Sequence, residues 1–134
     1  MRRVFHLPQN EVEYLNRIGL SWETVTSQGK NWLLVHGFPL PEGYRHQEAS
    51  VALFIPPNYP VAQIDMCFFS PAIVRCDGQK IVATQASSVI DGQSWQRWSR
   101  HRTAQNPWRP GEDNIGTHLR LVEHWLEREF LQGN

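Results

Sequence analysis

Two cysteines, six histidines and a cluster of tryptophans and arginines are the residues of this 134-residue chain with the most chemistry in them. Cys67 and Cys76 are separated by eight residues, a spacing that matches no common zinc or redox pattern. Cys67 stands among Met66, Phe68 and Phe69, the setting of a small core residue. Cys76 lies between Arg75 and Asp77, whose charges cancel, and it is a candidate nucleophile only because it is a thiol. Ser99 and His101 are two apart in a strand-like stretch, so they point the same way and could form a nucleophile–base pair. No orienting acid is evident near them. His118 and His124 are six apart on an expected helix, which puts them on different faces. No metal site and no cofactor follow from these positions.

The tryptophans and arginines suggest binding. Trp95, Arg97, Trp98, Arg100, Trp108 and Arg109 alternate along a segment with no acid between Asp91 and Glu112. Stacking rings with guanidinium groups hold single-stranded nucleic acid, and the same residue types anchor protein interfaces. The chain carries 13 basic and 13 acidic residues, so it has no general field for a polyanion. Apart from Lys30 and Lys80 the basic residues are all arginine, the planar donor suited to carboxylates and aromatic faces. A protein partner is therefore favoured over nucleic acid.

Positioning these groups falls to one α+β domain spanning residues 1–134, a length that suits a single core. Pro8 to Ile18 reads as a helix, ended by Gly19. Trp22–Thr26, Trp32–His36, Ser50–Ile55 and Gln63–Phe69 read as four strands of an antiparallel meander. Asp77-Gly78 reads as a turn, Lys80–Ala83 as a short strand, and Thr84 to Gly111 as a long irregular segment of the kind that is usually functional. Asp113 reads as the N-cap of a helix running to Leu131, with Ile115, Leu119, Val122, Leu126 and Phe130 on one face. Both helices are expected against one face of the sheet. No signal peptide and no membrane-length apolar stretch is read, and a cytoplasmic protein with reduced thiols is expected.

The stretch Val51-Ala52-Leu53-Phe54-Ile55-Pro56-Pro57-Asn58-Tyr59-Pro60 resembles the third strand of ubiquitin-conjugating enzymes and the turn after it. Phe69-Ser70-Pro71 is similar to that superfamily's aromatic-His-Pro-Asn stretch, and Trp108-Arg109-Pro110 to its Trp-Ser-Pro before the later helices. Trp95–His101 and Phe38–Tyr44 resemble the bacterial E2-like family, of the prokaryotic E2 family E type, found in operons with ubiquitin-like proteins, activating enzymes and JAB-type peptidases. The resemblance implies a UBC-like fold and a place in ubiquitin-like conjugation, in the setting of antiphage defence. The partners it implies are an activating-type enzyme, a ubiquitin-like protein and a JAB-type peptidase. Two departures stand out. The superfamily's histidine and asparagine fall on Ser70 and Ala72, and alanine has no donor for an oxyanion. Its cysteine falls near Ile81 or Val82, neither of which can form a thioester. The resemblance leaves three options: an unusual carrier through Cys76, an oxyester on a serine such as Ser99 beside His101, or a non-covalent platform.

Overall fold

The computed structural model describes residues 1–131. Helix α1 spans Gln9–Arg17 and α2 spans Ile115–Leu131, with strands β1 Trp22–Ser27, β2 Lys30–Pro39, β3 Glu48–Ile55, β4 Cys67–Ser70, β5 Ser87–Ile90 and β6 Gln93–Trp98. The sheet is antiparallel throughout, in the order β1-β2-β3-β4-β6-β5.

Six strands form where four were expected, and the difference lies in Thr84–Gly111. That segment holds the β5–β6 hairpin, whose turn is Asp91-Gly92 with φ of 53° and 77°. An Asp-Gly pair with both residues left-handed is the turn whose twist suits a two-residue hairpin. Strand β4 begins only at Cys67, because Met66 has φ of 58° and breaks the extended run expected from Gln63. Lys80–Ala83 forms no strand, and Ala83, with φ of 68°, turns the chain there. Helix α2 is capped by Asn114 instead of Asp113. The Asn114 side chain accepts from Thr117 N at 3.0 Å, and Thr117 Oγ1 accepts from Asn114 N at 2.9 Å, a reciprocal cap. Asp113 accepts from Arg109 N at 2.7 Å and closes the turn just before the helix.

Both helices cover one face of the sheet. Leu15 of α1 and Ile115, Leu119, Val122 and Leu126 of α2 pack with Leu33, Val51, Leu53, Phe69 and Trp98. The opposite face carries no helix but is not bare. Val25, Trp32, Leu34, Ala52, Phe68, Ile90 and Trp95 form a second apolar cluster there. They are shielded because the sheet curls until its edges meet. Arg2, on a segment bridged to β1, reaches Asp91 in the β5–β6 turn at 2.6 and 3.1 Å, and Asp91 N donates to Ser27 Oγ at 2.9 Å. Among the described residues no helix is long and apolar enough to cross a membrane.

Candidate functional site

Between β4 and β5 the chain forms an irregular crossing over the sheet's end. Ile73 and Ile81 are buried and pin it, while the Gln96 amide bonds both Ile73 N and Ile73 O, at 2.9 and 3.3 Å. The turn Arg75–Gly78 closes with Gly78 N donating to Arg75 O. Directly after Ile81 comes an exposed knuckle, Val82, with 66% of its surface accessible. Two bonds fix it: Thr84 Oγ1 donates to Ile81 O at 2.7 Å, and Ser99 N donates to Ala83 O at 2.9 Å. Of the two positions onto which the resemblance carries the nucleophile, Ile81 faces inward and Val82 faces solvent. Ala72, at the asparagine position, is exposed.

The three candidate nucleophiles and bases are not brought together. Cys76 is exposed, with its backbone N bonded to Gly43 O at 2.8 Å, against the Gly43–Tyr44 loop. The neighbouring Arg75 side chain turns inward to Glu129 at 3.2 Å and to Asp77 at 2.6 Å, so its charge is occupied. Cys67 is fully buried, and burial pushes its thiol well above the ordinary range. Ser99 adjoins the Val82 knuckle through its backbone. His101 turns away from it: its Nδ1 meets Asp65 at 2.9 and 3.1 Å. An acid for His101 therefore exists, 36 residues away in sequence and out of reach of any local pattern.

The six expected partner-binding residues are split among three places. Trp95 is 3% exposed in the cluster on the helix-free face, and Trp98 is 1% exposed under α2. Alternation along β6 explains this, since residues two apart share a face and residues three apart do not. Neither ring is free to stack on a ligand. Arg97 joins Trp95's face, and Arg100 lies over the rings of Trp98 and Trp125 at 5.6 and 5.7 Å. Arg100, Arg102 and Arg128 line a cleft of about 400 Å³ along α2 with His101 and His124; among the described residues its lining holds no acid, though Asp65 holds His101 and Asp113 lies 3.6 Å from Arg102.

Trp108 is half-buried, with its Nε1 donating to Pro60 O at 3.0 Å, its ring 6.1 Å from Tyr59 and Arg102 stacked 4.9 Å above it. Arg109 is exposed beside it. The Tyr-Pro turn thereby holds the 99–113 loop against the body. Below it is a tie that the sequence did not announce. Buried Glu11 of α1 accepts from the Tyr59 hydroxyl and, at 2.7 Å, from Ile115 N, the first residue of α2. A carboxylate at a helix N-terminus satisfies an orphan N–H and meets the favourable end of the helix dipole. Among the described residues no group of His, Cys, Asp and Glu is arranged to hold a metal ion.

No curated protein and no solved structure matches this chain. Prokaryotic E2 family E matches residues 7–129. That span includes the β2–β4 strands, the Tyr59-Pro60 turn, the Val82 knuckle and α2 up to its last turn, so the chain belongs to prokaryotic E2 family E.

Proposed function

We propose that this E2-like domain serves a ubiquitin-like conjugation pathway as a non-covalent platform, engaging an activating-type enzyme and a ubiquitin-like protein without carrying the latter itself. One observation supports the reading most. The solvent-facing position of the crossing after β4 is Val82, a side chain with no nucleophilic atom. Ala72 offers no donor to an oxyanion, which weakens the carrier options further. Cys76 and Ser99 remain the alternatives for a covalent load, and neither has an imidazole bonded to it among the described residues. Arg100 and the rest of the basic cleft beside α2 supply the docking surface, and a JAB-type peptidase in the same pathway is a further partner of this reading. The rival reading, single-stranded nucleic-acid binding through residues 95–109, loses two of its three stacking rings, Trp95 and Trp98, to the interior, and Trp108 is half-buried.

Mixing the protein with its activating enzyme, the ubiquitin-like protein and ATP, then running gels with and without reductant, tests this. A platform gives co-purification with no adduct. A thiol-sensitive adduct lost in Cys76→Ala, or a reductant-resistant one lost in Ser99→Ala, overturns it. Val82→Cys sharpens the result: a thioester formed only by that variant means the knuckle is correctly placed and lacks just the thiol.

A further inference from the structure

Away from the knuckle, on the helix-free face, three side chains from three successive strands form one hydrogen-bonded line. Ser50 Oγ lies 2.7 Å from His36 Nδ1, and His36 Nε2 lies 2.8 Å from Glu23 Oε2. Arg2 Nε holds the other carboxylate oxygen of Glu23 at 2.9 Å. The backbone is shaped for this. The β2–β3 register slips between Val35 and Phe38, where Gly37 takes φ of 69°, and such bulges re-aim a side chain beside a site. His36 is the residue at that slip.

The line has a direction. Burial pushes the Glu23 carboxyl up, but the hydrogen bonds from Arg2 and His36 outweigh it and hold the group below the usual carboxylate range. A carboxylate only accepts, so in the neutral imidazole His36 carries its hydrogen on Nε2 and leaves Nδ1 as the acceptor. The Ser50 hydroxyl then donates to Nδ1. This is the base–nucleophile–orienter arrangement of acyl transfer, with the two ring nitrogens exchanged.

A cavity of about 110 Å³ opens at the same place, with Ser50, His36 and Ser70 beside the ion-paired Arg2, Glu23 and Asp91 at its polar side and Leu34, Ile90 and Trp95 at its apolar side. Ser70 is the cross-strand partner of Ser50, so their side chains share the face. Trp95 Nε1 is buried, and among the described residues nothing accepts its hydrogen. The room suffices for a short acyl group and no more.

We propose that Ser50 is the nucleophile of a second site that accepts short acyl groups from activated esters, with His36 as its base and Glu23 as the positioning residue for that base. In the step, Ser50 Oγ bonds to the acyl carbon while its proton passes to His36 Nδ1. The ester C–O bond breaks, and the leaving alcohol takes that proton. Water repeats the exchange, releasing the acid and restoring Ser50. The Ser70 hydroxyl, directly across the strand pair from Ser50, is the donor available to the tetrahedral oxyanion.

The test treats the full chain with a fluorophosphonate probe and, separately, with p-nitrophenyl acetate. The expected result is a single adduct mapped by mass spectrometry to Ser50, and ester turnover that falls about 10²-fold or more in Ser50→Ala. Glu23→Gln should slow probe labelling and Glu23→Asp should restore part of it, with near-ultraviolet dichroism unchanged in each variant. A purely structural role for the line would not move the labelling rate of a folded variant. No adduct at Ser50 in the folded wild type overturns the proposal, as does turnover unchanged in Ser50→Ala or labelling unchanged in Glu23→Gln.

Discussion

His118, read from the sequence only as lying on a different helix face from His124, sits in the interior. It is fully buried on α2, with its Nε2 at 2.9 Å from Met66 O, the left-handed residue just before β4. Burial pushes its pKa from 6.5 down to about 4, and the Met66 carbonyl opposes this without winning. The sign of the consequence follows from where each state takes up a proton. The unfolded chain protonates this imidazole near pH 6.5 and the folded protein only near pH 4, so between those values the unfolded state binds more protons. Stability is therefore full above the upper value, is lost as the pH falls through the window, and levels off below it. The loss is roughly 3 kcal/mol, at about 1.4 kcal/mol per unit. Asp77, held low by Arg75, and Asp91, held low by Arg2, act at more acid pH, whereas Glu23, held below its ordinary 4.5 by Arg2 and His36, overlaps the acid end of the window. Urea unfolding from pH 7 to 4 should show this slope in the wild type. His118→Gln, which keeps a donor for Met66 O, should largely abolish it, and a slope preserved in that variant would assign the effect elsewhere.

At the scale of elements, the two helices meet where α2 begins. A Cβ built on Gly116 would lie 2.9 Å from the Tyr14 ring of α1, closer than real contacts allow. Two effects of Gly116→Ala therefore oppose each other. Helix propensity favours alanine by about 1 kcal/mol, and overpacking costs about 1–3 kcal/mol. The clash is with a half-buried ring that must shift as a whole, so the cost should win by about 1 kcal/mol in chemical denaturation, whereas a stabilised variant would mean Tyr14 swings aside freely. The elements also show what could be read from sequence and what could not. Both helices and the first three strands were legible because their apolar spacing repeats over several turns or residues. The β5–β6 hairpin was signalled by Asp91-Gly92 between Val89-Ile90 and Trp95, but the many polar residues around it masked a strand pair whose burial is mostly one-sided. Of the candidate site, the sequence pointed to Ile81 or Val82 only through a resemblance in order. The Glu23–His36–Ser50 line, the Asp65–His101 pair and the Glu11–Tyr59–Ile115 tie join residues 13 to 104 positions apart, and no local pattern encodes such distances. Trp98 fared worst: a residue type typical of interfaces proved to be core, and truncating it would cost about 3–5 kcal/mol of stability before any partner were affected.

Over the whole molecule, neutrality conceals a division of charge between two faces. The α2 side carries Arg100, Arg102 and Arg128 with His101 and His124 around one cleft; Asp65 holds His101 and Asp113 faces Arg102, which leaves Arg100, Arg128 and His124 as the cleft groups with no acid partner among the described residues. The helix-free side mixes Lys30 and Arg97 with Asp65 around its largest opening, and pairs Arg2 with Glu23 and Asp91 at the other end. A partner that docks through acidic groups would thus be drawn to the α2 side, and the interaction should weaken with salt as exposed charges are screened. Arg100 and Arg102 are poor probes, because one lies over two tryptophans and the other braces Trp108 and Asp113. Arg128 is exposed on the last turns of α2 and can be changed with little risk to the fold. Arg128→Glu should weaken binding of the activating-type enzyme about fivefold or more at physiological salt, chiefly through slower association. Lys30→Glu, an equal change of charge on the opposite face, should leave the affinity within error. Measured by surface plasmon resonance at two ionic strengths, the reverse pattern would move the docking surface to the helix-free face. Equal loss from both variants would mean that only the net charge matters, and the cleft would then have no special part in recognition.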